Sequence, residues 1–196
     1  FLQRMAELER WLSTLPPPPY PYPVNTPLAA VGKRVYAQYC AECHEPGQAR
    51  AGKVIPIEEI ATDRERLDTW TQAGADAANA KVKSMGIDRT PMVKTNGYVA
   101  EPLDGLWLRA PYLHNGSVPN LRDLLEPQAK RTQVFYRGYD VYDRKNVGFI
   151  TQGEAAQREG WSFDTSVRGN GNQGHRYGTE LPEAKKAALV EYLKTL

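Results

Sequence analysis

Apolar positions along the chain fall into three helical patterns separated by stretches of different character. In FLQRMAELERWLSTL, Phe1, Met5, Leu8, Leu12 and Leu15 recur at alternating spacings of four and three, one stripe along one helix. Such a stripe either packs on its own domain or docks on a preceding one. Prolines then dominate PPPPYPYPVNTP, Pro16 to Pro27. At that density the backbone adopts polyproline II, so the segment reads as a stiff connector. Thr26 as N-cap and Pro27 in the first turn open a second helix. It carries Leu28, Val31, Val35 and Tyr39 on one face, with Gly32 and Tyr36 beside them. The third pattern is LPEAKKAALVEYLKTL, where Pro182 and Glu183 suit a first turn and Leu189, Tyr192 and Leu193 form an apolar face.

Between these helices IEEIATDRERLDTWTQAGADAANAKV predicts one or two more, and the region from Lys130 to Gly174, rich in Gly, Asn, Tyr and charge, predicts long ordered loops. There is no internal repeat. The expectation is a mainly α chain: residues 1–26 as helix and connector, residues 27–196 as the principal domain. At 196 residues the chain can bury a real core. A net charge of +2 argues for neither nucleic acid nor an acidic surface as partner. No run approaches the roughly 18 apolar residues of a membrane-spanning helix. With no signal peptide and Phe1 at its head, the chain is expected to be a mature, trimmed or expressed piece of something longer.

The chemistry is concentrated in YAQYCAECHEPG, which holds both cysteines of the chain, Cys40 and Cys43, with His44 directly after the second. A structural zinc site usually wants four ligands, and neither His114 nor His175 stands at second-knuckle spacing. A redox thiol pair belongs at a helix N-terminus in a βαβ pattern, whereas these thiols follow a helical pattern. C-x-x-C-H is the attachment motif of a c-type haem. One helical turn separates the thiols, so both reach the two vinyl groups on one edge of the macrocycle, and His44 becomes the proximal iron ligand. With both cysteines so assigned, one covalent haem c is expected and a structural disulfide is excluded. Because covalent attachment in bacteria takes place outside the cytoplasmic membrane, the expected location is periplasmic or otherwise extracytoplasmic.

A second constellation, LDGLWLRAPYLHNGSVPNLRDLL, crowds Trp107, Arg109, Tyr112, His114 and Asn115 around two prolines. Its APYLHNGSVPNLRDLL portion resembles the segment after the second haem motif of bacterial dihaem cytochrome c peroxidases. The dihaem enzyme that matures methylamine dehydrogenase, and rubber oxygenases, carry similar stretches. The ending GHRYGTELPEAKKAALVEYLKTL is closer to the rubber-oxygenase-like branch. A helix entering CxxCH and a terminal helix also look like the cytochrome c fold, in which these two cross closely and Gly32 permits the approach. The resemblance covers roughly residues 29–196 and implies a cytochrome c-like domain with long loop insertions, commonly the C-terminal half of a two-haem protein. Those enzymes carry two CxxCH motifs; this chain carries one.

The sixth iron position decides between electron transfer and oxygen or peroxide chemistry. His175, in the glycine-rich GNGNQGHRYGT, is the preferred distal ligand, since such a turn brings an imidazole close to the macrocycle and the resemblance implies a ligand near this position. Met92, in RTPMVKT, is the alternative. The resemblance gives His114 a place at the haem edge, as a hydrogen-bonding residue of the pocket, and leaves a tyrosine ligand (Tyr136, Tyr139 or Tyr142) as a minor option. Arg109 and Trp107 are candidates for holding haem propionates. Asp140, Asp143 and Asn146 lack EF-hand spacing and read as a solvated loop. The expected function is electron transfer through a six-coordinate haem, with a redox protein or a preceding haem domain as partner and no nucleic acid. Alternatives are the haem domain of a dihaem peroxidase or oxygenase, and an assembly subunit of a larger redox complex.

Overall fold

The computed structural model describes residues 2–196; Phe1, the first member of the N-terminal stripe, lies outside the described residues. Helix α1 (Leu2–Leu12) carries Met5, Leu8 and Leu12 of that stripe, Leu15 follows its end, and all four are about half exposed. The connector behaves differently. Trp107 Nε1 donates to Pro18 O at 3.0 Å and the Tyr20 hydroxyl to Arg144 O at 3.1 Å. The Tyr20 ring stands edge-on to Trp107, and Arg144 lies over Tyr22. The proline segment is therefore strapped to the main domain.

Helix α2 (Thr26–Tyr39) opens one residue earlier than its sequence suggests. Asn25, not Thr26, is the N-cap, its side chain accepting from Leu28 N at 3.1 Å. The buried face is also rotated from the expected one. Ala29, Gly32, Val35 and Tyr36 are buried, whereas Val31 and Tyr39 are about 40% exposed. The cause is helix α9 (Glu183–Leu193), which crosses so closely that a Cβ on Gly32 would lie 1.9 Å from Ala188 O. Small residues at the crossing draw that stripe inward, with Val35 and Tyr36 beside them, and Val31 and Tyr39 turn out. Leu189 and Ala188 are fully buried on the other side of the crossing; a leucine so placed contributes about 1.5–3 kcal/mol. Lys186 is buried as well, paired with Glu126 at 3.1 Å.

At Cys40 the first long helix breaks. This residue ends α2 and caps the short helix α3 (Ala41–His44), so the CxxCH motif occupies a single turn after the break. Beyond it the polypeptide wraps the helix pair in short elements. Strand β1 (Val54–Pro56) runs into α4 (Ile57–Ile60), followed by α5 (Glu65–Thr69), α6 (Gln72–Ser84) and β2 (Gly97–Val99), which pairs antiparallel with β1. The predicted one or two helices are thus three, interrupted by a left-handed Ala61 and by the Thr71 cap of α6. After α7 (Leu121–Leu124), the region expected as loops contains β3 (Val134–Arg137), β4 (Tyr142–Asp143), β5 (Gly148–Phe149), α8 (Glu154–Glu159) and β6 (Trp161–Asp164). β3 pairs with β6 and β4 with β5, both antiparallel. The core joins the α2–α9 crossing to Trp107, Tyr112, Val118 and Leu121. Among the described residues no helix is long and apolar enough to cross a membrane.

Candidate haem site

The two imidazoles at opposite ends of the domain's sequence meet in space. The ring centroids of His44 and His175 lie 6.3 Å apart, with planes inclined at 44°. A metal ion shared by two imidazoles spaces their centroids by a little over ~6 Å, from a bond of ~2.0 Å to each nitrogen and ~1.1 Å from nitrogen to ring centre. His44 Nδ1 lies 2.7 Å from Glu101 O. A carbonyl only accepts, so the proton sits on Nδ1 and Nε2 keeps its lone pair for a ligand role.

The elements that hold His175 are largely backbone. Its amide donates to Ile60 O at 2.8 Å, and its φ of +46° is a left-handed conformation a histidine rarely adopts. Gly174 beside it has φ +78°, and a Cβ there would lie 2.4 Å from Thr62 N, so only glycine lets this loop sit on the 60–62 turn. Burial, then the neighbouring His44 and Arg131, push the His175 pKa down to about 4, so the ring stays neutral at neutral pH and available as a donor.

Cys40 and Cys43 carry free thiols one turn apart. Burial, with a smaller contribution from Cys43, pushes the Cys40 thiol up to about 12, and burial also raises Cys43. An oxidoreductase pair needs the opposite shift; two partly shielded, protonated thiols beside an imidazole suit a thioether-forming role.

The motif around His114 folds as a tight loop, closed where Tyr112 and Val118 exchange backbone hydrogen bonds. His114 stacks on Tyr98 with centroids 4.5 Å apart, and burial lowers its pKa. Asn115 Nδ2 donates to Gly169 O and Gly171 O, and Ser117 Oγ to Gly171 O, at 2.9–3.0 Å. The distinctive motif therefore grips the segment that carries His175, a role invisible in the sequence because the acceptors are carbonyls. Among the described residues the buried side-chain polar atoms without a hydrogen-bond partner are Thr62 Oγ1, Tyr98 OH, His114 Nε2 and His175 Nδ1. Each costs about 1–3 kcal/mol if left unpaired. Thr62 lies on the turn beneath Gly174, so with His175 Nδ1 it leaves unpartnered polar atoms that fit a bound group with polar edges.

The other candidates are engaged elsewhere. The single donor of Trp107 goes to Pro18, and Arg109 donates to Pro102 O and Asp104 O. These bonds tie down the connector and a turn; the indole has no N–H left for a propionate, whereas Arg109 spends only two of its five donors in them. Met92 is half-buried, its backbone clamped in both directions by Asn79 at 2.8 Å. Tyr142 donates to Trp107 O. Asp143 accepts from Lys145 N and from both Asn146 nitrogens, closing a turn with no vacancy for calcium.

Comparison with known proteins points to a cytochrome c domain. The RoxA-like, cytochrome c-like family matches residues 97–136, and the family of cytochrome C oxidase, cbb3-type, subunit III matches residues 27–91. The uncharacterized protein y4iJ of Sinorhizobium fredii (strain NBRC 101917 / NGR234) is 31% identical over 96% of this chain and 42% of its own length. The uncharacterized protein y4iM of the same strain is 34% identical over 71% of this chain and 37% of its own length. The chain thus spans about two fifths of the curated relatives it matches. Cytochrome c domains bind haem c and act in electron transfer, and the two family matches contain the His114 loop and the CxxCH turn respectively. The chain carries a c-type cytochrome domain that resembles the haem domain of the RoxA-like proteins.

Proposed function

We propose that this domain carries electrons through one haem, covalently held by Cys40 and Cys43 and ligated on both faces by His44 and His175, on the outer side of the cytoplasmic membrane. The observation that carries the reading is the facing pair of imidazoles with centroids 6.3 Å apart. The haem supplies a one-electron ferric/ferrous couple. The polypeptide's part is to hold both ligands still: His44 through Glu101, His175 through the 60–62 turn and the His114 loop. Fixed ligands keep the geometry alike in both oxidation states, as an electron carrier requires. Two imidazoles give a lower potential than a histidine–methionine pair in the same pocket; Met92 remains the competing ligand. In this reading His114, which stacks on Tyr98, serves the haem edge as a hydrogen-bond donor or acceptor.

The partner is a redox protein or another haem domain. A net charge of +2 predicts only modest salt dependence of docking. A many-fold slowing of reduction between low and physiological salt contradicts that. A second reading, favoured by relatives more than twice the length spanned here, makes this the electron-delivering haem domain of a longer dihaem peroxidase or oxygenase. The test is the optical spectrum of the purified holoprotein, ferric and ferrous, before and after carbon monoxide. A low-spin spectrum indifferent to the gas supports the carrier. A high-spin spectrum that responds at once shows an open iron and favours oxygen or peroxide chemistry in this domain.

A further inference from the structure

Arg131 lies at the centre of the segment that presents His175. It is 3% exposed, and each of its five N–H donors meets a backbone carbonyl. Nε donates to Glu126 O at 3.0 Å, and one Nη2 donor to Leu124 O at 3.1 Å, both just beyond or within α7. The other three donors reach the ligand loop: Nη1 to Asn172 O at 2.5 Å and Gly174 O at 2.9 Å, and Nη2 to His175 O at 3.2 Å. Asn172 returns the contact, its Nδ2 donating to Thr132 O at 3.1 Å.

A buried guanidinium is costly unless every donor is satisfied, and here carbonyls alone satisfy it. The carboxylate facing this element, Asp123, is occupied by Thr132 N. The arrangement serves a purpose beyond packing. A histidine at φ +46° persists only where its surroundings over-determine the backbone. Three carbonyls of residues 172–175 held by one rigid planar fork supply that determination.

We propose that Arg131 is the positioning residue of the distal ligand: it locks the His175 loop so that the imidazole stays opposite His44. This rests on the ligand assignment above. Loss of the fork releases the loop from α7 without removing the ligand, so the sixth bond forms but opens more often. Each hydrogen bond lost to the loop is worth up to about tenfold in that opening equilibrium.

The experiment compares wild type, Arg131→Met, Arg131→Lys and His175→Ala as holoproteins. Readouts are carbon monoxide binding rate to the ferrous form, ferric spin state, and hydrogen exchange at the His175 amide, with far-UV circular dichroism as the check on folding. His175→Ala should bind carbon monoxide at once. Arg131→Met should bind it at least about tenfold faster than wild type, with faster amide exchange. Arg131→Lys, which keeps the charge but offers three donors to five carbonyls, should fall between. If Arg131→Met fails to fold, the lysine variant decides. His175→Ala open with both Arg131 variants as closed as wild type overturns the role of Arg131 alone. Wild type already open, or His175→Ala still closed, overturns the ligand assignment beneath it.

Discussion

Substituting Gly32 by alanine probes the packing that brings CxxCH to its place. In an ordinary helix interior this change gains about 0.8–1.0 kcal/mol, because alanine loses less backbone freedom on folding. At this position the sign reverses. The new methyl would stand 1.9 Å from Ala188 O, 2.6 Å from Ala188 C and 2.8 Å from Tyr192 Cβ, short of ordinary contact with that oxygen by about 1.5 Å. The obstacle is backbone, which has no rotamer to yield, so α2 and α9 must part. A radial gap of ~1 Å forfeits up to about half the dispersion energy of the atoms that line it. Here those belong to Val35, Tyr36 and the fully buried Leu189. Overpacking costs about 1–3 kcal/mol, and with the loosened core the net destabilisation should be about 3 kcal/mol, or ~6–12 °C in Tm for a chain of this length. The assay is guanidinium unfolding of the holoprotein followed by tryptophan fluorescence. Gly74→Ala in α6, where a Cβ meets only Thr71 Oγ1 at 3.3 Å, serves as control and should stay within about 1 kcal/mol of wild type. A Gly32→Ala protein as stable as wild type, or more so, refutes the close crossing.

Two further outcomes follow from particular contacts. Burial pushes the Glu126 carboxyl up, but hydrogen bonds from Lys186 and Arg122 outweigh it and leave its pKa below the ordinary 4.5. As pH falls the unfolded chain binds this proton first, so the stabilisation is present above about pH 4.5 and lost as pH drops through the folded value. Glu126→Gln should remove that part of the acid sensitivity and, by leaving the buried Lys186 with only the exposed Glu183, cost about 3 kcal/mol at pH 7; urea unfolding at pH 7 and pH 4 reads both effects. Trp107→Phe keeps an aromatic ring but loses the second ring of the indole and the 3.0 Å bond to Pro18 O. It should cost at least about 1 kcal/mol for the bond alone, read by urea unfolding; a variant as stable as wild type contradicts the strapped connector.

The parts legible in the sequence are those governed by local rules. The CxxCH spacing is a covalent requirement, proline density dictates an extended connector, and Gly32 between two apolar helices marks a close crossing. Side chains met through tertiary packing read less well. The inward face of α2 is set by Ala188 of a helix far along the chain, so apolar spacing alone puts Val31 and Tyr39 on one face with Val35, whereas both are exposed. Strands β1 to β6 are two to four residues long, too short for a period-two pattern to stand out from loop. Trp107 and Arg109 carried the right donors for a propionate, yet the nearest acceptors are carbonyls of the connector and of a turn. Arg131 left no signal at all. Its five acceptors are backbone oxygens, which any residue supplies, so only the folded arrangement distinguishes it from a surface arginine.

Electron paramagnetic resonance of the ferric holoprotein, recorded beside His175→Ala, tests the axial histidine pair most directly. Two imidazoles on one iron predict a wholly low-spin signal in wild type and a high-spin signal once His175 is removed. A wild-type signal that is already high-spin, or a low-spin signal unchanged in His175→Ala, contradicts the pairing of His44 with His175.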